Sequence, residues 1–521
     1  MKIYLVGGAV RDKLLNLDVK DEDWVVVGGT PEDFLSKGYE QVGADFPVFL
    51  HPETKDEYAL ARKERKVGSG YNGFETTFEP SVTLEEDLFR RDLTINSMAM
   101  DNEGNIIDPY NGLEDMKNKK LRHVSKHFAE DPLRVLRVAR FMARYHRLGF
   151  TIHEDTMDLM KEITKSGELE HLTAERVFKE LNEKVFKEPN PEQFFYTLRD
   201  CNALKVVFPE IDKLFGVIQP EKHHPEVDAG VHTMLVLNQA KKLSNNNHAI
   251  MYAALTHDLG KGITPKDMLP QHIGHEKTGI SLVEKMNERL KVPLHYKTLS
   301  VKMCKLHTKA HRSFELSNRK IYELFKELDA YRNDHIFSDF LISCEADARG
   351  RTGLENRTYT QPDYLRFCLD YSKNVDAKKF IEKGLKGAEI GKSIEFERIN
   401  KIQEAKRFYP PNLKEKAEEN RRLFNNFDNL SSTEIFRFMK SFNVDHGTKY
   451  LESVYNILDI DNPKIIEIAK EFSSIDSNIF IEQGLKNIEI SLAISESKNN
   501  IINNYFGNIT NKEKIIKKPK F

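Results

Sequence analysis

Cysteine is scarce. The 521 residues hold four, Cys201, Cys304, Cys344 and Cys368, none at metal-ligand spacing. That excludes a disulfide-built fold and reads as reduced, buried thiols in a cytoplasmic protein. Long apolar runs are also missing. None reaches the roughly 18 residues that a membrane span requires, so no membrane partner is expected. The opening "MKIYLVGGAVRD" lacks a basic n-region and a cleavage site and does not read as a signal peptide. Neither sign of charge dominates: 79 Lys and Arg stand against 81 Asp and Glu, a formal net charge of -2. A nucleic-acid partner is therefore not announced by global charge and would need a local basic surface.

What remains is 39% hydrophobic and 31% charged, the balance of a globular chain. At about 150 residues per domain, the length suggests three or four domains. Residues 1–125 mix strands and turns, as in "KIYLVGG", "DWVVVG" and "EYALAR". From about 127 the pattern turns helical. Breaks at "FGVIQPEKHHPEVD" and "YPPN" divide it near 215–228 and 409–412. Beyond 410 the composition shifts to Asn, Ile, Lys and Ser. There "DSNIFIEQGLKNIEISLAI" (476–494) repeats the skeleton of "DAKKFIEKGLKGAEIGKSI" (376–394), and "IFRFMKSFNV" (435–444) that of "IYELFKELDA" (321–330). In the same register "DID" (459–461) falls opposite "EAD" (345–347). The tail reads as a shortened, degenerate copy of about 320–400.

"VKDEDWVVVG" opens an apolar strand on two aspartates. In a strand Asp21 and Asp23 would share a face and Glu22 would point away. Paired carboxylates repel unless a cation neutralises them, which points to a divalent metal. From these ten residues alone, an acidic turn ahead of a buried strand reads as well. Upstream, "YLVGGAVRDKLL" reads as strand, glycine turn and helix. Gly7 and Gly8 allow close backbone approach, the helix offers free N–H groups, and Arg11 adds a charge-assisted contact to a phosphate.

In "EDPLRVLRVARFMARY", Pro132 and the acids before it suit a helix start. Arg134, Arg137, Arg140 and Arg144 recur on one face and Val135, Val138, Ala139 and Met142 on the other. The arginine face has no Lys and no acid after Asp131, which suits guanidinium forks used for recognition. Farther on come His232, the pair His257–Asp258, His272 or His275, His307 or His311, and Asp347. Neutral imidazoles and carboxylates in this order suit a transition metal that activates water. His123, His127 and His335 read as surface or core residues.

"GGAVRD", "DEDW", "RRDLTINSMA", "EDPLRVLRVARF", "LTAERVFKEL", "HTMLVL", "HDLGKG" and "EADARGRTG" occur in that order. Together they resemble the class II tRNA nucleotidyltransferases, in the branch of bacterial multifunctional CCA proteins, over about 1–405. The histidine set resembles the HD phosphohydrolases. The resemblance implies an α+β fold: a small mixed-sheet nucleotidyltransferase head (1–125), then an all-helical neck (126–225), HD domain (228–340), tRNA-binding tail (341–410) and the extension (411–521).

It also implies activities and sites. The head would add C, C and A to tRNA 3′ ends from CTP and ATP, with Asp21 and Asp23 as catalytic ligands of two Mg²⁺ ions. Gly8, Arg11, Arg91, Asp131, Arg134, Arg137 and Arg140 would bind ATP and CTP, Asp131 and Arg134 as the base-reading pair. Cytosine and adenine both present an amino donor beside a ring-nitrogen acceptor; an aspartate accepts from the first and an arginine donates to the second. Uracil and guanine reverse the pattern. Arg91 also reads as a surface salt bridge with Asp87, and Glu57 as structural or a third carboxylate. The glycine-rich 65–74 reads as a loop over the triphosphate or a plain linker.

In the HD domain His232, His257, Asp258, His275 and His307 would hold a transition metal, nickel, for phosphatase, 2′-nucleotidase and 2′,3′-cyclic phosphodiesterase activities. A monomer or homodimer is expected. The rivals are a poly(A) polymerase of the same branch and a regulatory HD phosphohydrolase with an RNA-binding head.

Overall fold

The computed structural model describes residues 1–506 except Lys20, 43–47, 67–73, 410–412, Asn443, Gly447, Asp459 and Asn487. The glycine-rich loop expected over the triphosphate lies almost wholly outside the described residues, as does Asp459 of the tail repeat.

The fold is α+β. The head strands are β1 (Lys2–Val6), β2 (Asp23–Val27), β3 (Glu40–Val42), β4 (Val48–Leu50), β5 (Glu57–Leu60), β6 (Lys63–Lys66), β7 (Phe74–Thr77), β8 (Ala99–Met100) and β9 (Ile106–Ile107). Seven form one mixed sheet in the order β3-β4-β5-β2-β1-β8-β9, and β6 and β7 form a separate ribbon. β-Branched and aromatic residues favour strands at β1 and β2. Alternation sends Val25 and Val26 to opposite faces. Val25 packs with Val6, Leu88 and Ala99, and Val26 with Phe34, Phe49 and Leu60. The strand that begins at Asp23 is thus clamped by a core on each side.

One expectation is corrected here. β2 begins at Asp23, so Asp21 and Glu22 precede the strand and the two aspartates are not an in-strand pair. The Lys13–Glu22 ion pair, 2.9 Å, draws Glu22 to the helix Gly8–Leu14.

After the head the described chain is almost all helical. The arginine-bearing helix runs Leu133–Tyr145 with Pro132 at its N-cap. Val135, Val138, Ala139 and Met142 are buried, as their spacing requires. Helices Ala229–Leu243, His248–Thr256, His275–Arg289, Leu294–His311 and Asp334–Arg349 follow. Asp228 caps the first, accepting from the Val231 N–H at 2.9 Å, and Asn247 caps the second.

By packing, the chain forms two compact units: 1–308 with 338–357, and 309–337 with 358–521. The helix Asp334–Arg349 runs through the boundary expected at 340. Within the second unit, elements recur in the same order. The turn Ser313–Glu315, Leu316, an N-capping Ser317 and helix Asn318–Glu327 are followed later by the turn Phe427–Asn429, Leu430, an N-capping Ser431 and helix Ser432–Ser441. Ile321, Leu324 and Phe325 are buried in one, and Ile435, Phe438 and Met439 in the other. Short helices Lys378–Glu382 and Ser477–Glu482 precede long ones, Ala388–Phe408 and Ile488–Phe506. Each long helix places a cation on aromatic rings at the same step. Arg398 lies 3.8 Å from the Tyr331 ring centroid; Lys498 lies 5.4 Å from Phe436 and 5.6 Å from Phe472.

Candidate active sites

The first site forms where β1 turns into the helix Gly8–Leu14. Gly7 has φ +65°, and a Cβ there would lie 2.7 Å from Arg91 Nη1. The glycine therefore admits both the left-handed turn and the guanidinium. Arg91 also pairs with Asp87 at 3.2 Å, and the buried Asp87 takes Arg90 at 2.8 Å as well. The Asp87 pair and the place over the glycine turn thus coexist.

Asp23 pairs in register with Val6 on one side and Glu57 on the other. Desolvation pushes its carboxyl above the usual range; Asp21 adds to this, while Arg91 and Lys184 oppose it. Among the described residues, neither Asp21 nor Asp23 has a side-chain hydrogen bond or ion pair. Two mutually repelling carboxylates without a partner fit a divalent cation.

Arg11 is 5% exposed. It bonds Asp12 at 2.9 Å, donates to Asn96 and stacks 5.3 Å from the Tyr145 ring. It lies beneath the turn. Gly8 sits just above, its ideal Cβ 3.4 Å from Arg11 Nη2.

The arginine face meets acids brought from elsewhere in the chain. Arg137 donates to Asp92 at 2.7 Å, Arg140 to Glu180 at 2.7 Å, and Arg144 to Asp12 at 2.8 Å. Glu188 lies 3.6 Å from Arg140. Arg134 donates to the carbonyls of His127 and Arg90, at 2.7 and 2.6 Å. Asp131 accepts from Arg176 at 2.9 and 3.2 Å. Burial alone would raise the Asp92 carboxyl, but Arg137 and Asn96 hold it well below the usual range. Sequence reading missed Asp92, Glu180, Glu188 and Arg176, because their partners lie 40 or 45 residues away or more and no local spacing marks them.

The second site is a buried polar cluster inside the first compact unit. His257 closes the helix His248–Thr256, and Asp258 follows it. Gly260 is obligatory: a Cβ there would lie 2.0 Å from the His275 carbonyl oxygen. Asp258 Oδ2 is 3.0 Å from His257 Nε2 and 2.6 Å from Lys261 Nζ. Its Oδ1 is 3.2 Å from His275 Nε2 and 3.5 Å from His307 Nε2. His232 Nε2 is 3.2 Å from Asp347 Oδ1 and 3.8 Å from Asp258.

His232, His257, Asp258, His275 and His307 are thus brought together, with Asp347 among them. The competing histidines go elsewhere. His272 is held between Thr264 and the Ile218 carbonyl, and His311 bonds Tyr359. Their geometry separates what spacing could not.

The ring tautomers agree with a metal. His257 Nδ1 donates to Ala254 O at 2.7 Å, His275 Nδ1 to His272 O at 2.7 Å, and His307 Nδ1 to Met303 O at 3.0 Å. Each Nε2 lone pair then faces the cluster. His257 Nε2 and Asp258 Oδ1 are buried without a hydrogen-bond partner. The sets His232–His257–Asp347 and Asp258–His275–His307 each bring ligand atoms within 4.8 Å of one another. Donor set and orphaned atoms both fit a transition metal.

Sequence comparison matches the Poly A polymerase head domain over residues 3–122, the "Probable RNA and SrmB- binding site of polymerase A" over 149–215 and the HD domain over 230–334. A multifunctional CCA protein of Mannheimia succiniciproducens is 55% identical over 388 residues, 74% of this chain and 92% of that protein. One from Actinobacillus pleuropneumoniae is 54% identical over 406 residues, 77% of this chain and 98% of that protein. In structure, the apo form II of a CCA-adding enzyme superposes with TM-score 0.54 at 19% identity, covering 77% of this chain and 88% of that one. With more than half of the aligned residues identical along nearly the whole length of these relatives, the chain belongs to the bacterial multifunctional CCA proteins, class II tRNA nucleotidyltransferases that carry an HD domain.

Proposed function

We propose that the head builds and repairs the 3′-terminal CCA of tRNA from CTP and ATP without a nucleic-acid template, and that the HD domain hydrolyses phosphate esters. The full-length likeness to the multifunctional CCA proteins carries this reading. Magnesium bound by Asp21 and Asp23 would lower the pKa of the attacking hydroxyl and neutralise the triphosphate. Gly7 and Gly8 let the phosphates approach the main chain, and Arg11 adds charge from beneath.

Arg91, Arg137 and Arg140 line the triphosphate path. Their acids Asp87, Asp92 and Glu180 hold each fork oriented, so little side-chain entropy is lost when a phosphate arrives. Asp131 and Arg134 read the base. Arg176 holds Asp131 aligned as an acceptor.

In the HD domain, a transition metal such as nickel at His232, His257, Asp258 and Asp347, with His275 and His307 beside it, would activate water for attack on 2′,3′-cyclic and 2′-phosphates. Lys261 supplies positive charge to the phosphate. The helical tail grips tRNA by shape and phosphate contacts. The recurring elements of the second unit support reading 411–521 as a shortened, degenerate copy of about 320–400. Opposite Asp347 that copy carries an exposed Asp461, so it repeats helices and not the HD site.

The test is incubation with tRNA lacking CCA plus CTP and ATP. Three added residues followed by a halt is the expected result. Addition that runs on in A alone would favour a poly(A) polymerase, and no addition with intact phosphohydrolase activity would favour a regulatory HD protein.

A further inference from the structure

Three of the four cluster histidines fix their tautomer locally, each giving Nδ1–H to a carbonyl three or four residues earlier. His232 cannot. It sits in the first turn of Ala229–Leu243. The Ala229 carbonyl three residues back accepts the Thr233 hydroxyl at 2.8 Å. The Asp228 carbonyl four back accepts the His232 backbone N–H at 2.9 Å. Glu226, from the loop ahead of the helix, stands in for them. Its Oε1 lies 2.9 Å from His232 Nδ1, oblique for a hydrogen bond, and the carboxylate is 1% exposed. Its Oε2 accepts the Thr352 N–H at 3.3 Å, from the "RGRTG" loop that follows Asp347. Arg351 closes the ring, donating to His223 O at 3.1 Å and lying 3.8 Å from Asp347 Oδ1.

We infer that Glu226 is a positioning residue of the phosphohydrolase site: it orients His232 through Nδ1 and ties the helix of His232 to the loop after Asp347. The inference rests on reading this cluster as a metal site. A carboxylate behind a ligating imidazole fixes the tautomer and, being an anion, raises its basicity more than the neutral carbonyls behind His257, His275 and His307 do. His224, 3.1 Å from the same Oε1, makes a rival arrangement, with His224, Glu226 and His232 holding an ion of their own. Geometry favours the positioning role, since His232 Nε2 is already turned to Asp347 and Asp258.

The test is titration of metal-free full-length protein with Co²⁺, following its visible absorption and the ions bound per chain. Glu226→Gln keeps size and loses charge. It should weaken Co²⁺ binding about 10- to 100-fold and shift the Co²⁺ bands, with the far-ultraviolet circular dichroism of the metal-free protein and CCA addition unchanged. His224→Ala should leave affinity and ion count as they were. Unaltered affinity and spectrum in Glu226→Gln would overturn the inference, as would the loss of one ion per chain in His224→Ala. Asp258→Asn serves as the reference: if it leaves Co²⁺ binding intact, the HD reading has failed and not the role of Glu226.

Discussion

Asp131 accepts Arg176 in this structure, so a nucleotide base read by Asp131 would share its carboxylate with a guanidinium. A carboxylate has lone pairs for both. Asp131→Ala should therefore remove base choice and leave metal binding intact. A specific bidentate contact is worth roughly 1–3 kcal/mol, so the preference for CTP over UTP should fall by about one to two orders of magnitude. Single-nucleotide incorporation onto tRNA lacking CCA measures it; equal slowing of both nucleotides would show that Asp131 only positions the helix. Asp23→Ala should abolish addition with tRNA binding nearly unchanged, checked by incorporation assay and by filter binding. At this scale the sequence was most legible where chemistry needs residue types at short spacing. The His and Asp set around His257–Asp258 could be read from residue types and order, and the fold gathers those side chains. Glu226 could not be read so, because its importance lies in its place behind His232 Nδ1, which no local spacing marks.

At the scale of elements, the helix Leu133–Tyr145 shows both success and shortfall. Its period gave the buried face. The absence of acid along the other face suggested forks used for recognition and gave no sign of the acids Asp92, Glu180, Glu188 and Asp12 that meet them from distant segments. Helical periodicity reports a residue's face and is silent about what folds against it. Asp92 makes this helix pH-sensitive. Its folded pKa lies below the unfolded one, so the stability it adds is complete above about pH 3.9. That stability is lost as pH falls through the folded value. Asp92→Asn should destabilise the head by about 1.5–3 kcal/mol at neutral pH, the range for a hydrogen bond to a charged group; Arg137 is 39% exposed on its side chain, which favours the lower end. Melts of both proteins from pH 7 down to 3 should show the gap narrowing below about pH 4. A gap constant with pH would mean the loss is one of packing.

For the whole molecule, the two sites use different ligands on different elements. His257→Ala should remove hydrolysis of 2′,3′-cyclic nucleotides and spare CCA addition; loss of both in a well-folded variant would argue for one shared site. A chain ending at Tyr409 should still add CCA, with weaker tRNA binding or lower stability, read by addition assay and melting. If it folds and adds nothing, the extension takes part in the reaction. The α+β class and the order of elements were legible from motif order. The two packing units were not, since the second gathers 309–337 with residues beyond 357 and only contacts across that gap reveal it.

The recurring helices also set a hazard during synthesis. Two long helices, each carrying a cation at the same step, could compete for one set of partners while the chain is still emerging. Their boxes differ in shape. Arg398 lays a planar fork 3.8 Å from the Tyr331 ring, whereas Lys498 points an ammonium at Phe436 and Phe472 and pairs with Asp445. An ammonium does not fill the stacking slot of a guanidinium. The mismatch in shape and hydrogen bonding disfavours either helix in the other's berth.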